Sequence, residues 1–238
     1  MGAGKGGERK QQLLRSEGVP VADGRVMDLG NVLFDHFCGE PILETMAQAQ
    51  RQLAALVESE GNALAFERVA GLDVSYEGDR AFAAMVVLDR QGEVLEERLS
   101  ECQVNFPYVP GYLGFREMRP YSLLLEEGRQ DILYLIDGHG RAHPRRAGVA
   151  CQFGVVHGVA SAGAAKSVLA GERQENSLLL DGEEVGRVVQ GPTRSRFLSV
   201  GHRADLDSVC QLFRSLPRDP LALAHQRCNR ARLEAVAQ

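Results

Sequence analysis

No stretch of this 238-residue chain is long and apolar enough to span a bilayer, so no membrane association is expected. Its first residues, MGAGKGGERKQQLLRSEG, lack the apolar core of a secretory signal, and Gly6 stands where a myristoylation motif needs Ser or Thr. Cysteines are few: five, at positions 38, 102, 151, 210 and 228, with no CxxC pair and an odd total. That excludes a disulfide framework and a closely spaced structural zinc site, and it suits a reducing, cytoplasmic setting. Positive charge is also scarce, the formal net charge being -5. This balance disfavours a broadly basic nucleic-acid surface but leaves room for a local basic ledge, since carboxylates that hold metals are negative by necessity. Internal repeats and sharp composition breaks are missing too. One domain over residues 21–238 is expected, behind a flexible basic tail over 1–20, and a monomer is the default. Glycine, by contrast, is abundant at 26 residues and gathers beside polar side chains, as where loops build a site.

Hydrophobic periodicity gives the order of elements. Ile42, Met46, Leu53, Leu56 and Val57 predict an amphipathic helix from about 41 to 60, closed by Gly61. Residues 66–74, 81–88 and 94–99 are short β-rich runs separated by turns, which predicts an antiparallel meander. Two prolines stiffen the segment 105–111, and a short helix from Leu113 is expected to stop before Pro120. After a second helical stretch, residues 131–136 read as a buried central strand. A helix over 148–159, a strand over 160–165, a hairpin pairing 185–189 with 196–200, and helices over 205–216 and from Pro220 complete the chain. A meander followed by α/β crossovers implies a mixed sheet with helices on both faces.

Two aspartates stand out within this frame. Asp73 lies inside the first strand, with Leu72 and Val74 pointing to the opposite face, and Asp137 follows the buried strand. If those strands are neighbours, the two carboxylates converge, and a divalent cation relieves their repulsion; oxygen ligands of this kind suit Mg²⁺. Taken singly, each aspartate has an ordinary reading as a surface or turn residue. The surrounding residues shift the balance: Gly138, His139, Gly140, Arg141, His143, Arg145 and Arg146 follow Asp137 with no evident packing purpose. Glycines let backbone amides approach a phosphate, the two arginines offer forked donors, and His143 is a candidate phosphate contact or proton relay. Lys166 at the exit of the small-residue strand is a candidate for binding phosphate or orienting an attacking water, and Glu117 a candidate third acid. Pro107 and Pro110 hold Tyr108 in a rigid loop, suited either to anchoring that loop or to stacking on a base.

Taken together these segments resemble the endonuclease V family of deoxyinosine-specific nucleases. The resemblance is carried by AGLDVSY at 70–76, PYVPGYLGFRE at 107–117, DGHG at 137–140, HPRRAG at 143–148, GAAKS at 163–167, SVGHR at 199–203, LP at 216–217 and LAH at 223–225, and the Gln48/Gln52 helix fits as well. It runs in order from about residue 41 to 226. It implies an α/β fold with a ribonuclease H-like core, a mixed five-stranded sheet, and Mg²⁺ as cofactor with Mn²⁺ as substitute. It also implies inosine-containing DNA or RNA as partner, with cleavage at the second phosphodiester bond 3′ to the hypoxanthine nucleotide, leaving 3′-hydroxyl and 5′-phosphate ends.

By the family pattern Asp73, Glu117, Asp137 and His225 belong to the metal site. Tyr108 corresponds to a wedge, Gly111 and Leu113 adjoin the base pocket, and Gly138 and His139 face the base. Lys166, His143, Arg145 and Arg146 handle phosphate. The chain departs from the pattern over 118–130, at Cys151-Gln152-Phe153, at Ala164-Ala165 and over 190–197, without removing a metal ligand; these departures bear on affinity, pocket shape and the choice between DNA and RNA. Two other classes stay open at this point: a catalytically weak inosine-binding module, and a ribonuclease H-like nuclease acting on other RNA or branched DNA.

Overall fold

The computed structural model describes residues 5–33, 39–125 and 129–236. Cys38 and residues 126–128 of the expected second helical stretch lie outside the described residues. The chain divides into two compact units, Met1–Pro41 and Ile42–Gln238, a boundary further along than residue 20. In the first unit a helix α1 (Lys5–Ser16) is followed by a two-stranded antiparallel sheet of β1 (Val21–Ala22) and β2 (Arg25–Val26), then a single turn α2 (Leu29–Val32). Helix α1 lies within the stretch 1–20, for which the sequence suggests a flexible tail. Its Glu, Lys, Gln, Leu and Arg residues lose little rotamer freedom in a helix, and Arg15 complements the dipole at its C-terminal end.

The second unit begins with α3 (Ile42–Ala54) and a 3₁₀ turn at Ala63–Ala65. The predicted meander follows as β3 (Arg68–Glu77), β4 (Arg80–Asp89) and β5 (Val94–Gln103). Helix α4 (Leu113–Ser122) runs through Pro120 rather than stopping before it. Pro120 lies in the last turn, where it costs the helix the one hydrogen bond its N–H would donate to the Arg116 carbonyl. Next come β6 (Ile132–Ile136), α5 (Val149–His157) and β7 (Ser161–Ala165). They are followed by β8 (Glu172–Gln174), β9 (Ser177–Leu180), β10 (Glu183–Gln190), β11 (Ser195–His202), α6 (Leu206–Ser215) and α7 (Pro220–Val236).

All strands of this unit form one nine-stranded sheet in the order β5-β4-β3-β6-β7-β11-β10-β9-β8. The expected five-stranded sheet is therefore too small. Strands β5-β4-β3-β6-β7 form a mixed core with β3, β6 and β7 parallel, and β11 pairs antiparallel with β7 to add the four-stranded antiparallel meander β8 to β11. The predicted β10–β11 hairpin is present, whereas β8 and β9 are short and carry few of the apolar alternations by which a strand is recognised.

Helices cover both faces. On one, Tyr121 and Leu124 of the α4 segment and Val149, Ala150 and Phe153 of α5 pack on Ala70, Leu72, Met85, Tyr134 and Ile136. On the other, Val209, Cys210, Leu212 and Phe213 of α6 with Leu221 of α7 pack on Val69, Leu133, Leu135, Ala162 and Leu198. Helix α7 approaches β3 closely because Gly71 has no side chain: a Cβ there would stand 2.3 Å from the Pro220 carbonyl carbon. That close approach brings α7 within reach of Asp73.

Candidate active site

Parallel pairing of β3 with β6 sets Leu72 opposite Ile136, and the Asp137 amide continues the ladder by donating to the Leu72 carbonyl at 3.1 Å. Asp73, midway along β3, and Asp137, just past the end of β6, therefore sit side by side on the same face of the sheet. Glu117 reaches the same volume from α4. It is buried, accepts from the Tyr121 hydroxyl at 3.2 Å and from the Tyr76 hydroxyl at 3.4 Å, and feels the charge of both aspartates. Burial, then repulsion by Asp73, pushes the Glu117 carboxyl up to about 8. Asp73 is also raised, first by burial and then by Asp137, against the opposing hydrogen bond from His225.

His225 projects from α7, its Nδ1 at 2.6 Å from Asp73 Oδ2. The contact belongs to a ladder in which helix positions 225, 229 and 232 meet alternate residues of β3. Asn229 Oδ1 accepts from the Ser75 hydroxyl at 3.0 Å, Arg232 Nε donates to that hydroxyl at 2.8 Å, and Arg232 pairs with Glu77 at 3.4 Å. Lys166, just past β7, places its ammonium 2.6 Å from Asp137 Oδ2.

A metal cofactor fits this chemistry. Asp73, His225 and Cys228 offer ligand atoms all within 4.8 Å of one another. The Cys228 thiol is buried, pushed up to about 12 mainly by burial, and donates to the His225 carbonyl, so it stays protonated and is a poor ligand for a cation. Asp137 raises the pKa of Asp73, and both aspartates raise that of Glu117, a conflict that a cation resolves.

Beside the carboxylates lies a cavity of about 120 Å³ whose walls include Tyr108, Gly111, Leu113, His139, His143, Val149 and Ser167. Tyr108 is 68% exposed at its margin, with Pro107 and Pro110 exposed on either side. Gly138 shapes the wall from behind, since a Cβ there would meet Val149 Cγ1 at 2.5 Å. His139 Nε2 lies 2.8 Å from the Ser167 carbonyl oxygen, and burial lowers its pKa. Two strand exits thus serve both places: Asp137 and Lys166 stand at the carboxylates, while His139 and Ser167, one or two residues on, line the cavity.

The basic residues after Asp137, which the sequence suggests as phosphate contacts, make contacts within the protein. Three donors converge on the Gly111 carbonyl oxygen: Arg145 Nη2 at 2.6 Å, His143 Nε2 at 2.9 Å and Gln50 Nε2 at 3.1 Å. Arg145 Nε also donates to Gln50 Oε1 at 2.6 Å, and its guanidinium lies over the Tyr112 ring, 4.4 Å from the centroid. Gly111 takes φ +80°, a conformation costly for any residue with a side chain, so the loop turns sharply just where it is gripped. His143 is 2% exposed and lowered to about 4, chiefly by burial; it is a neutral donor to Gly111 whose Nδ1 accepts from the Arg145 amide at 3.2 Å. Arg146 turns to the β9–β10 connection, donating to Glu183 at 2.8 Å and to the Leu180 carbonyl at 2.7 Å.

Sequence reasoning missed Gln50, because the helix before β3 drew attention to Gln48 and Gln52. It also missed Ser167 and a buried pair, Arg196 and Asp219. The signals were present: an arginine inside an apolar strand, and an aspartate immediately before a helix-opening proline.

Comparison with known proteins agrees with this geometry. The family model for Endonuclease V matches residues 50–225. Endonuclease V of Ignicoccus hospitalis is 36% identical over 177 residues, covering 71% of this chain and 84% of that protein. The Methanothrix thermoacetophila protein of the same name is 43% identical over 177 residues, covering 67% and 78%. Among solved structures, Endonuclease V from Streptomyces avermitilis superposes with a TM-score of 0.73 at 34% identity, over 81% of this chain and 94% of that one. The Ciona intestinalis enzyme, solved with a 24mer DNA containing an inosine followed by a ribo-adenosine, shares the fold with a TM-score of 0.72 at 23% identity, over 83% and 100%. The mixed sheet with its paired aspartates is a ribonuclease H-like α/β fold, and the chain belongs to the Endonuclease V family of nucleases.

Proposed function

We propose that this chain hydrolyses the second phosphodiester bond on the 3′ side of a deoxyinosine or inosine nucleotide, in DNA or RNA, leaving 3′-hydroxyl and 5′-phosphate ends. The observation that carries the reading is the shared pair of strand exits, which puts a three-carboxylate cluster and a one-base cavity within a short reach of each other. The inosine-containing DNA held by the Ciona enzyme supports the choice of base. All residues invoked lie in the unit Ile42–Gln238, to which we assign the activity, in place of a domain beginning at residue 21.

Asp73, Asp137 and Glu117, with His225 beside them, would hold Mg²⁺ or Mn²⁺, which when bound polarises the scissile phosphate and acidifies the attacking water. Lys166 is close enough to Asp137 to move onto a phosphate oxygen, and it keeps a flexible, half-exposed ammonium for that purpose. Glu117 orients the attacking water through its free carboxylate lone pairs. Tyr108 stands where an extruded base leaves a gap in the stack and fills it. Leu113, Val149 and the backbone around Gly111 and His139 enclose the base. The enzyme acts as a monomer in the cytoplasm; among the described residues no helix is long and apolar enough to cross a membrane.

The test is a panel of end-labelled oligonucleotides carrying inosine, uracil, ribose linkages or branched junctions, cut with Mg²⁺ or Mn²⁺ by the native chain and by Asp73→Ala. Inosine-directed cleavage two bonds into the 3′ side, abolished by Asp73→Ala with strand binding retained, is expected. Retained inosine affinity without cutting in either metal would identify a binding module, and preference for junctions or unmodified RNA a different nuclease. Either result overturns the proposal.

A further inference from the structure

Arg196 of β11 is the largest fully buried side chain among the described residues, and it lies in the segment 190–197 that departs from the family pattern. Its Nη1 donates to the Ala164 carbonyl at 3.0 Å and stands 3.2 Å from Asp137 Oδ1. Its Nη2 lies 3.9 Å from Asp219 Oδ2, a carboxylate with no solvent exposure. Asp219 in turn opens α7: its Oδ1 accepts from the amides of Leu221 at 3.0 Å and Ala222 at 3.2 Å, and Thr193 donates to its other oxygen.

A guanidinium removed from water costs several kcal/mol unless anions meet it. Here two carboxylates from different elements lie within ion-pair range, Asp137 at 3.2 Å and Asp219 at 3.9 Å, while Nε and Nη2 have no hydrogen-bond partner among the described residues. One belongs to the proposed metal site, and the other caps the helix that carries His225. Asp137 thereby has Oδ1 in an ion pair with Arg196 and Oδ2 2.6 Å from the Lys166 ammonium. Asp219 balances the charge that Arg196 brings, so the cation is not a net repulsion beside the site.

We propose that Arg196 is a positioning residue: through Asp137 and Asp219 it fixes the orientation of one metal-site carboxylate and ties the start of the His225 helix to it. The proposal rests on the metal-site reading given above. It concerns how the site is held and not which atoms bind.

The experiment measures Mn²⁺ affinity of the purified full chain without substrate, by electron paramagnetic resonance of free Mn²⁺, alongside thermal unfolding. The variants are Arg196→Met, Arg196→Lys and Asp219→Asn, with Asp73→Asn as the control for the site itself. Positioning predicts that Arg196→Met weakens Mn²⁺ binding by about fivefold or more, although it removes a positive charge, and that Arg196→Lys recovers part of the loss. Asn caps a helix nearly as well as Asp, so Asp219→Asn keeps the fold while leaving Arg196 without its second anion. Its Mn²⁺ affinity is expected to fall in the same sense. Tighter binding in folded Arg196→Met, as simple loss of a neighbouring cation dictates, overturns the proposal. So does a lowered melting temperature with unchanged Mn²⁺ affinity of the folded protein in Asp219→Asn, which marks a purely structural role. An Asp73→Asn variant that binds Mn²⁺ as tightly as the native chain would instead remove the metal-site reading, and this proposal with it.

Discussion

Replacing Arg145 by Met distinguishes a loop clamp from a phosphate contact, the two tasks that its sequence and its structure assign to it. The substitution removes a hydrogen bond to the Gly111 carbonyl at 2.6 Å, another to Gln50 Oε1 at 2.6 Å, and the stacking over Tyr112 at 4.4 Å. A hydrogen bond to a charged group contributes about 1.5–3 kcal/mol, and a partly exposed cation–π contact about 0.5–1 kcal/mol. Because the side chain is only half buried, a combined loss of roughly 2–3 kcal/mol is expected, or about 4–12 °C in melting temperature for a chain of this size. Gln50 and His143 still hold the same carbonyl, so the loop loosens without unfolding.

The functional consequence follows from the direction of that loosening. Gly111 and Tyr108 both border the cavity, so a mobile carbonyl blurs the base pocket while Asp73, Asp137 and Glu117 stay in place. Displacement of about 1 Å at a positioning group costs as much as two orders of magnitude in rate. The ratio of kcat/KM on inosine-containing and unmodified strands is therefore expected to fall by about tenfold or more, with Mn²⁺ affinity unchanged. The assay is cleavage of end-labelled strands across a series of KCl concentrations. A phosphate contact carries a salt signature: its loss reduces the slope of log affinity against log salt by about 0.9 on duplex, or about 0.7 on single strands. A clamp carries none. A slope reduced by that amount with discrimination intact would refute the clamp and restore the phosphate role.

Tyr108→Ala should leave stability within about 0.5 kcal/mol, since the ring is exposed, while lowering inosine discrimination more than metal affinity; equal loss on both strands argues against a wedge. Glu117 gives a pH prediction: its carboxyl titrates near 4.5 when unfolded and at about 8 when folded, so between those values the folded state binds the extra proton and the metal-free protein loses stability as pH rises. A divalent cation needs the ionised carboxylate, so the gain in melting temperature on adding Mn²⁺ should grow from pH 5.5 to 8; a gain flat across that range contradicts the assignment of Glu117 to the metal site. Gly71→Ala would place a methyl 2.3 Å from the Pro220 carbonyl carbon and push α7 outward, so loss of activity through displaced His225 is expected along with destabilisation, measured by cleavage rate and thermal melting.

What could be read in the chain and what could not divides along a physical line. Asp73 and Asp137 were legible because strand periodicity fixes which face a residue takes, and two central strands leave few ways to be adjacent; the observed register between Leu72 and Ile136 settles their alignment. The meander, the central strand and the β10–β11 hairpin follow from the same alternation. Residues whose role depends on partners far along the chain were not legible. In α3 the apolar residues pointed to Ile42 and Leu53 as the buried face, yet Ile42 is 61% exposed and the buried positions are Ala47 and Gln50. A glutamine faces inward there because it has polar groups to meet, the Gly111 carbonyl and the Arg145 guanidinium, that no local pattern announces. His143 and Arg145 were read by their charge as phosphate ligands. Burial removes the charge of the one, and a carbonyl and a glutamine engage two of the five donors of the other. Arg196 carries the same lesson further, since a charged residue inside an apolar strand reads locally as a mistake and is explained only by two carboxylates, one of them 59 residues upstream in sequence. In this fold the paired aspartates are written in strand periodicity, while the groups that hold them and the loop above them are written in long-range polar contacts. The residues with the greatest influence on specificity are therefore expected among buried polar side chains that hydropathy alone would assign to the surface.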